Sequence, residues 1–232
     1  MGQAHEPEPI MNFDTHIIVQ YWPALWQSFL MTLGLSAGTL IISTPLAMLI
    51  AIARRVGPPW LSIPCTGFVN LVRILPVLLI LYFVFYGLPQ FGPSLSPVQA
   101  AMFGLVVAAT AYLSEDLRGG FNAVPMGQWQ AARALGLPFW HMMRRIILPQ
   151  AAPAMLPPYM SRAIIIVKST SIAGLVAVNE LTGQTYGDIS TTYHSVEFLA
   201  VAAVLYLIVN GMLALLQEIV EGRLRAKRRA TA

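Results

Sequence analysis

Long apolar segments dominate the chain. Residues 17–53 contain no Asp, Glu, Lys or Arg, and four further apolar segments follow, separated by short stretches rich in Gly, Pro or charge. A helix that crosses a bilayer needs about 20 mostly apolar residues. The pattern therefore predicts an all-α, polytopic membrane helix bundle that forms one transmembrane domain over residues 1–232. Its five transmembrane helices are expected at about 24–53, 60–86, 96–117, 151–178 and 198–218.

Turn-forming residues and charges separate these segments. Arg54 and Arg55 end the first segment, and Gly57-Pro58-Pro59 predicts a turn after them. The connection over residues 119–150 is longer and more polar than the others. Residues 179–197 are predicted to form a polar loop.

Composition narrows the class further. Hydrophobic residues make up 56% of the 232 residues and charged residues only 10%. Soluble domains carry about 25% charged residues, so this composition excludes an ordinary soluble enzyme. The large apolar fraction also excludes a disordered chain. Because Cys65 is the single cysteine, neither an intrachain disulfide nor a cysteine-based metal cluster can form.

The basic residues predict the orientation of the chain. Residues 1–20, 87–97 and 179–197, which five spans place on one side of the membrane, contain no Lys or Arg. Positive charge is retained in the cytoplasm, so the N-terminus is predicted to be periplasmic and the C-terminus cytoplasmic. The basic C-terminal tail is expected to contact membrane lipid and not nucleic acid, since no aromatic residues interrupt it. Eleven of the 14 basic residues lie on the predicted cytoplasmic side: Arg54, Arg55, Arg118, Arg133, Arg144, Arg145, Arg223, Arg225, Lys227, Arg228 and Arg229.

Three short patterns suggest chemistry but lack what that chemistry needs. Residues 34–38 spell G-x-S-x-G, yet they lie within an apolar helix, and all four histidines fall outside the predicted spans. Lys168-Ser169-Thr170 resembles the end of a phosphate-binding loop, but residues 161–167 supply no glycine. His194 and Glu197 alone are weak evidence for a metal site. The chain is therefore predicted to be no enzyme, to have no ATP site of its own and to bind no metal or other cofactor.

Residues 126–150 predict two short helices joined by a glycine. Good helix formers fill 128–135, and Gly136 can adopt the positive φ that ends a helix. Pro138 suits the first turn of a second helix, and Pro149 and Pro153 are expected to redirect the chain into the fourth span. This element is too short to cross the membrane. It is either an ordinary amphipathic interfacial helix or an element that binds a partner protein.

At this point the segment resembles a known family. Gln130-Ala131-Ala132-Arg133-Ala134-Leu135-Gly136, with Pro149 following, is similar to the cytoplasmic EAA loop of binding-protein-dependent ABC importer permeases. Further stretches resemble the polar-amino-acid uptake branch of that family, and together they extend from about residue 24 to 222. These stretches are YLSEDLRGG (112–120), VPMGQWQAARALGL (124–137), ILPQAAPAMLPP (147–158), VKSTSIAGLVAVNELT (167–182) and FVNLVRILPVLLILYFVFYGLP (68–89).

The resemblance implies a type I ABC importer permease fold and an alternating-access function in the bacterial inner membrane. It implies ABC ATPase subunits that carry ATP and Mg, a periplasmic solute-binding protein, and a second permease chain as homodimer or heterodimer partner. The substrate would be a polar amino acid or related compound. The residues expected to couple to the ATPase are Gln130, Ala131, Ala132, Arg133, Leu135, Gly136, Pro138, Phe139 and Met142.

Two positions depart from the family pattern. The loop's usual Glu is Gln130, which keeps hydrogen-bonding capacity but loses the charge. A second, non-identical permease chain could supply that Glu. The usual Arg-Gly-Thr-Pro of the second helix is Arg73-Ile74-Leu75-Pro76 here, so its small and polar groups are missing.

Three basic residues lie inside predicted spans, where a charged side chain costs about 2.5–3.5 kcal/mol. Such residues face a cavity that could hold a substrate carboxylate, or they have a structural role. The structural alternatives are snorkelling, bonding to backbone carbonyls that the prolines leave free, and pairing with Glu115 or Asp116. The predicted substrate path comprises Arg73, Pro76, Arg162, Lys168, Ser169, Thr170 and Ser171.

Two other functions stay open on the sequence alone. A cation-driven secondary carrier or channel would need no partner protein, but such proteins often place carboxylates within the membrane. Glu115 and Asp116 are expected at a helix end instead. A membrane anchor with only an interaction role would leave the three intramembrane basic residues unexplained.

Overall fold

A computed structural model describes residues 13–230 of the chain, with side chains through residue 226. Residues 1–12, which belong to the predicted periplasmic segment, and part of the basic C-terminal tail lie outside the described side chains. All regular structure in the described part is helical. Its elements are α1 (Thr15–Val56), α2 (Pro59–Ile74), α3 (Val77–Tyr82), α4 (Pro97–Asn122), α5 (Met126–Ala134), α6 (Phe139–Met142), α7 (Leu148–Ser169), α8 (Leu181–Thr192) and α9 (Ser195–Ala230).

The predicted five-span arrangement agrees with these helices. Four are long and apolar enough to cross a membrane: Thr15–Val56, Pro97–Asn122, Phe139–Val176 and Ser195–Ala226. A bent pair, Pro59–Ile74 with Val77–Phe91, is apolar and long enough when taken together, and it makes the fifth crossing if its two parts form one span. Each of the four long helices is longer than the span that the sequence predicted.

α4 lies at the centre of the bundle and packs against α1, α2, α3 and α7. Ser96 and Gln99 begin it with a reciprocal capping box. Its buried face consists largely of small residues, including Ala101, Gly104 and Ala108. Such residues allow helix backbones to approach closely in a membrane. The facing stripe of α1 is also small and buried: Ser28, Thr32, Ser36, Thr39, Ser43, Ala47 and Ala51.

The second span was predicted as one helix over about 60–86, and this prediction is wrong because the helix is bent. α2 and α3 meet at an angle of 105°. Pro76 causes this break, because it has no N–H to donate and it forces the preceding residue out of the helical region. Leu75 accordingly has ψ 136°. A π-helical turn at Phe83–Gly87 and a 3₁₀ turn at Leu88–Phe91 continue α3.

The predicted redirection of the chain at Pro149 and Pro153 is also wrong. α6 continues through a π-helical turn, Met143–Ile147, directly into α7, so that Phe139–Val176 forms one span. The π turn lets the helix continue past Pro149, which has no backbone N–H to donate. Pro153 lies inside α7 without ending it. The fourth span therefore begins at residue 139, and not at 151.

The predicted polar loop at 179–197 contains α8. Glu180 caps this helix by accepting hydrogen bonds from the backbone N–H groups of Thr182 at 3.0 Å and Gly183 at 2.7 Å. The same carboxyl accepts from the hydroxyls of Thr32 and Tyr206 at 3.4 and 3.2 Å. Glu180 is fully buried, and this burial raises the pKa of its carboxyl above the ordinary range, against the opposing effect of the donors.

We predict that Glu180→Ala destabilises the chain by about 1–3 kcal/mol, because one buried and three partly buried donors lose this acceptor. Thermal unfolding in detergent measures the effect. Glu218→Ala is the matched control, since Glu218 is exposed on α9. Equal melting temperatures for the two variants would show that this cap contributes nothing to stability.

Candidate functional site

An ion cluster within the bundle joins three helices at Glu115 of α4. Arg54 of α1 donates to this carboxylate at 2.7 Å, and its side chain is only 8% exposed. Arg118, one turn further along α4, pairs with the other carboxylate oxygen. Arg73 of α2 lies 3.7 Å away. Glu115 thus carries one negative charge among three positive ones.

The next residue of α4 makes a second, separate pair. Asp116 accepts two hydrogen bonds from Arg162 of α7, at 2.8 Å from Nε and 3.2 Å from Nη2. This bidentate geometry is the strong form of an arginine–carboxylate contact. Because Glu115 and Asp116 are adjacent, they point to different neighbours and connect α4 to α1, α2 and α7 together.

Tyr112 lies between the two ion pairs. The guanidinium carbon of Arg162 is 4.8 Å from the Tyr112 ring centroid, and that of Arg73 is 5.9 Å away. Both distances are within the range of cation–π attraction. The Tyr112 hydroxyl also donates to the backbone carbonyl of Arg73 at 3.2 Å, so it holds the end of α2 just before the bend.

A cavity of about 220 Å³ opens beside this pair between α1, α3, α4 and α7. Its polar wall comprises Thr39, Tyr112, Arg162 and Ser169. Val77, the first residue after the bend, contributes to the apolar part together with Leu105, Ala108, Ala109, Ile165 and Ile166. Arg162 has five N–H donors and Asp116 takes only two of them. The remaining donors are available for an acceptor group on a ligand.

The structure brings together only part of the predicted substrate path. Arg162 and Ser169 line the cavity, and Arg73 reaches its edge through Tyr112. Lys168 is exposed and does not line the cavity. The hydroxyls of Thr170 and Ser171 donate to backbone carbonyls of the preceding turn. Pro76 is not a wall residue, but it creates the bend that positions Val77.

For two of the basic residues, the predicted alternative of pairing with a carboxylate is confirmed. Arg73 pairs with Glu115 and Arg162 with Asp116. The expectation that these carboxylates lie at a helix end is wrong, since α4 continues to Asn122. Sequence reasoning did not single out Tyr112 or Thr39 as wall residues. Tyr112 stands three residues before Glu115 and four before Asp116. A polar ring at this spacing lies on the same helix face as the two carboxylates.

The predicted coupling segment forms a helix–glycine–helix element. Gly136 has φ +65°, as predicted, and it ends α5 where a left-handed conformation is needed. Pro138 caps the following helix. Trp129 is buried against the end of α1, with the guanidinium carbon of Arg55 5.4 Å from its ring centroid. This contact connects α5 to the end of α1.

The outward surface of this element is smaller than the sequence suggested. Gln130, Ala131 and Arg133 are exposed, Leu135 is 75% exposed and Phe139 is half-exposed. Ala132 is buried instead, and Met142 is only 3% exposed within the main hydrophobic cluster. The prediction that Met142 points toward a partner is therefore wrong, because its place on α6 turns it toward α4 and α7.

Comparisons with known proteins agree with this architecture. The chain is 35% identical over 228 residues to the octopine transport system permease protein OccM of Rhizobium radiobacter, covering 94% of this chain and 93% of the relative. It is 30% identical to the glutamine transport system permease protein GlnP of Escherichia coli, covering 93% and 99%. A crystal structure of an amino acid ABC transporter with histidines superposes with a TM-score of 0.83 at 28% identity, covering 92% of this chain and all of that chain.

The family model described as the inner membrane component of binding-protein-dependent transport systems matches residues 43–226. This match spans the ion cluster, every cavity residue except Thr39, and α5, and it does not favour a cation-driven carrier. This chain therefore belongs to the family of inner membrane components of binding-protein-dependent transport systems, as a multi-pass permease.

Proposed function

We propose that this chain is the permease subunit of an ATP-driven importer and that polar amino acids or amino-acid derivatives pass beside the 220 Å³ cavity. The observation that carries the proposal is the wall residue Arg162 and its ion pair with Asp116 beside the cavity. An amino acid is a zwitterion, with a carboxylate and an ammonium group on one carbon. Arg162 and Asp116 carry the two complementary charges side by side. A substrate carboxylate would pair with Arg162, and its ammonium group would pair with Asp116.

The relatives support this class of substrate. Octopine, nopaline, cystine, arginine and glutamine permeases are all among the similar proteins. Each of these compounds has an α-amino-acid moiety, and they differ beyond it. The apolar remainder of the cavity, Leu105, Ile165 and Ile166, would contact the variable part.

Energy comes from another chain in this proposal. The predicted absence of an ATP site implies that ATP and Mg are bound by a separate ATPase, whose motion must cross a protein contact. α5 supplies that contact with its exposed Gln130, Ala131, Arg133 and Leu135. Trp129 then transmits the motion to Arg55 of α1.

The other partners and the orientation complete the assembly. A solute-binding protein delivers substrate on the periplasmic side, to which this proposal assigns α8 and the N-terminus. A second permease chain, identical or not, closes the path. The C-terminus and α5 face the cytoplasm, as the distribution of basic residues predicts.

We expect Arg162→Lys to raise the apparent KM for substrate about tenfold. Lysine keeps the charge but loses the bidentate fork, and one charge-assisted hydrogen bond corresponds to about 1.5–3 kcal/mol. Substrate-stimulated ATP hydrolysis of the reconstituted transporter measures KM. Lys168→Arg is the matched control, since Lys168 is exposed and not a cavity residue. Unchanged KM in Arg162→Lys would remove this pair from the substrate path.

We expect Gly136→Val to insert normally but to bind the ATPase weakly or to uncouple ATP hydrolysis from uptake. A β-branched residue at φ +65° is strained by roughly 1–3 kcal/mol, which misdirects the helix that begins at Phe139. Gln130→Glu, which restores the family's usual residue, should be tolerated. Co-purification of the ATPase and an uptake assay test both variants.

Gly222→Val is the control for Gly136→Val, because a side chain at Gly222 on α9 meets nothing within 4 Å. Full transport by Gly136→Val would exclude the segment as the coupling element. Loss of transport in Gly222→Val as well would show that the substitution acts through general misfolding.

The orientation has a direct test. A reporter enzyme fused after residue 232 should be active as a cytoplasmic fusion, and one fused after His194 should be active as a periplasmic fusion. The first helix, α1, begins on the side that lacks basic residues, and α9 returns the chain to the basic side. An external C-terminus would contradict both the orientation and the ATPase-facing role of α5.

A further inference from the structure

An apolar groove opens where α1 ends, α2 begins and α6 begins. Its volume is about 340 Å³, and its walls include Leu49, Ile52, Val56, Leu61, Cys65 and Phe139. The groove takes no part in the cavity or in the ion cluster described above. Several of its wall residues are large and exposed, among them Leu49 and Trp140. Such a surface is expected to be covered by another apolar group.

A cationic pocket of about 420 Å³ adjoins this groove. Its walls are Trp140, His141, Arg144 and Arg145. Trp140 lines both the groove and the pocket, so the two spaces are neighbours at this residue. Among the described side chains, no carboxylate forms an ion pair with Arg144 or Arg145. The pocket therefore holds two positive charges that this part of the chain does not neutralise.

The position of this site along the bundle identifies its environment. The groove lies at the end of α1 that carries Arg54 and Arg55, where the apolar segment of residues 17–53 stops. That end marks the boundary between hydrocarbon and water. Tryptophan is enriched at this boundary, and basic pockets between helices at the same depth bind anionic lipid headgroups.

We propose that the groove and pocket together bind one anionic phospholipid. Its phosphate lies between Arg144 and Arg145, and one acyl chain occupies the groove beside Leu61 and Cys65. Neither part alone accounts for the site, since a free phosphate would leave the groove empty and a neutral lipid would leave two arginines unpaired. Only the choice of the cytoplasmic leaflet depends on the proposed function.

The lipid would contact the base of the coupling element. Phe139 and Trp140 follow directly after Gly136, Leu137 and Pro138, which join α5 to the fourth span. A chain in the groove fills the space between these aromatic residues and α1. The bound lipid would therefore support the position of α6 at the point where ATPase motion enters the membrane domain.

Native mass spectrometry of the purified transporter, with its ATPase bound, tests the headgroup half of the proposal. Phosphatidylglycerol should be retained at least fivefold better than phosphatidylcholine. Arg144→Gln/Arg145→Gln should lose this preference. Arg223→Gln/Arg225→Gln removes the same charge from the basic tail, whose expected contact with lipid is general and not confined to one site, so this variant should keep most of the preference. Equal retention of both lipids, or equal loss in both double variants, would overturn the proposal.

The sole cysteine of the chain tests the acyl half. Cys65 is partly buried in the groove wall, so a bound chain should slow its reaction with a maleimide in the unaltered protein. Dioleoyl phosphatidylglycerol should protect Cys65, and glycerol 3-phosphate should not. Protection of Cys65 by glycerol 3-phosphate would indicate a site for free phosphate. No protection by the lipid would show that its acyl chain does not occupy the groove. Either result overturns the proposal.

A third arm separates the lipid from the ATPase as the occupant. If phosphatidylglycerol is retained by the permease alone but not by the assembled transporter, the ATPase covers this surface and the proposal fails. Substrate uptake is measured on the same preparations. Loss of lipid binding with intact uptake would reject the lipid site alone, whereas absent uptake with intact lipid binding would reject the proposed function alone.

Discussion

The cost of placing two adjacent carboxylates inside a membrane bundle constrains the rest of this structure. A buried charge is costly unless it is paired and hydrogen-bonded. Glu115 and Asp116 meet this constraint with arginines from α1, α2, α4 and α7. Because α4 also packs against these helices through small residues, the ion pairs fix the rotation of each helix about its axis. Apolar packing alone would not, since lipid is as apolar as leucine.

The same end of α1 connects this cluster to the coupling element. Arg54 pairs with Glu115, while the adjacent Arg55 stacks on Trp129 of α5. Successive residues on a helix point about 100° apart, so one turn of α1 reaches inward to the cluster and outward to α5. A displacement of α5 would therefore move α1 and, through Glu115, the face of α4 that carries Tyr112. If α5 binds the ATPase as proposed, this chain of contacts would be a physical route from the ATPase to the cavity.

Sequence patterns predicted the features that local chemistry determines. The five apolar segments, the turn at Gly57 and the positive φ of Gly136 all depend on residues near them in the chain. The features that sequence analysis missed depend on contacts between residues that are far apart in the chain. α8 forms within a polar segment because buried Thr32 and Tyr206 hold its capping residue, Glu180. Prolines were misjudged in both directions: Pro76 bends the second span by 105°, whereas a π turn accommodates Pro149.

The cavity itself could not be inferred from sequence, because its polar wall comes from α1, α4 and α7 and its depth from the bend before Val77. Arg162 was identified only as a charge that needs a partner, and the structure gives it one in Asp116. That pairing has a functional consequence. An empty site lined by an unpaired charge would be expensive, whereas a paired arginine keeps the empty bundle stable and still offers donors to a ligand. Under the proposed function, a zwitterion that replaces one ion pair by two would leave no charge uncompensated, so this site would favour solutes that carry both charges over those that carry one.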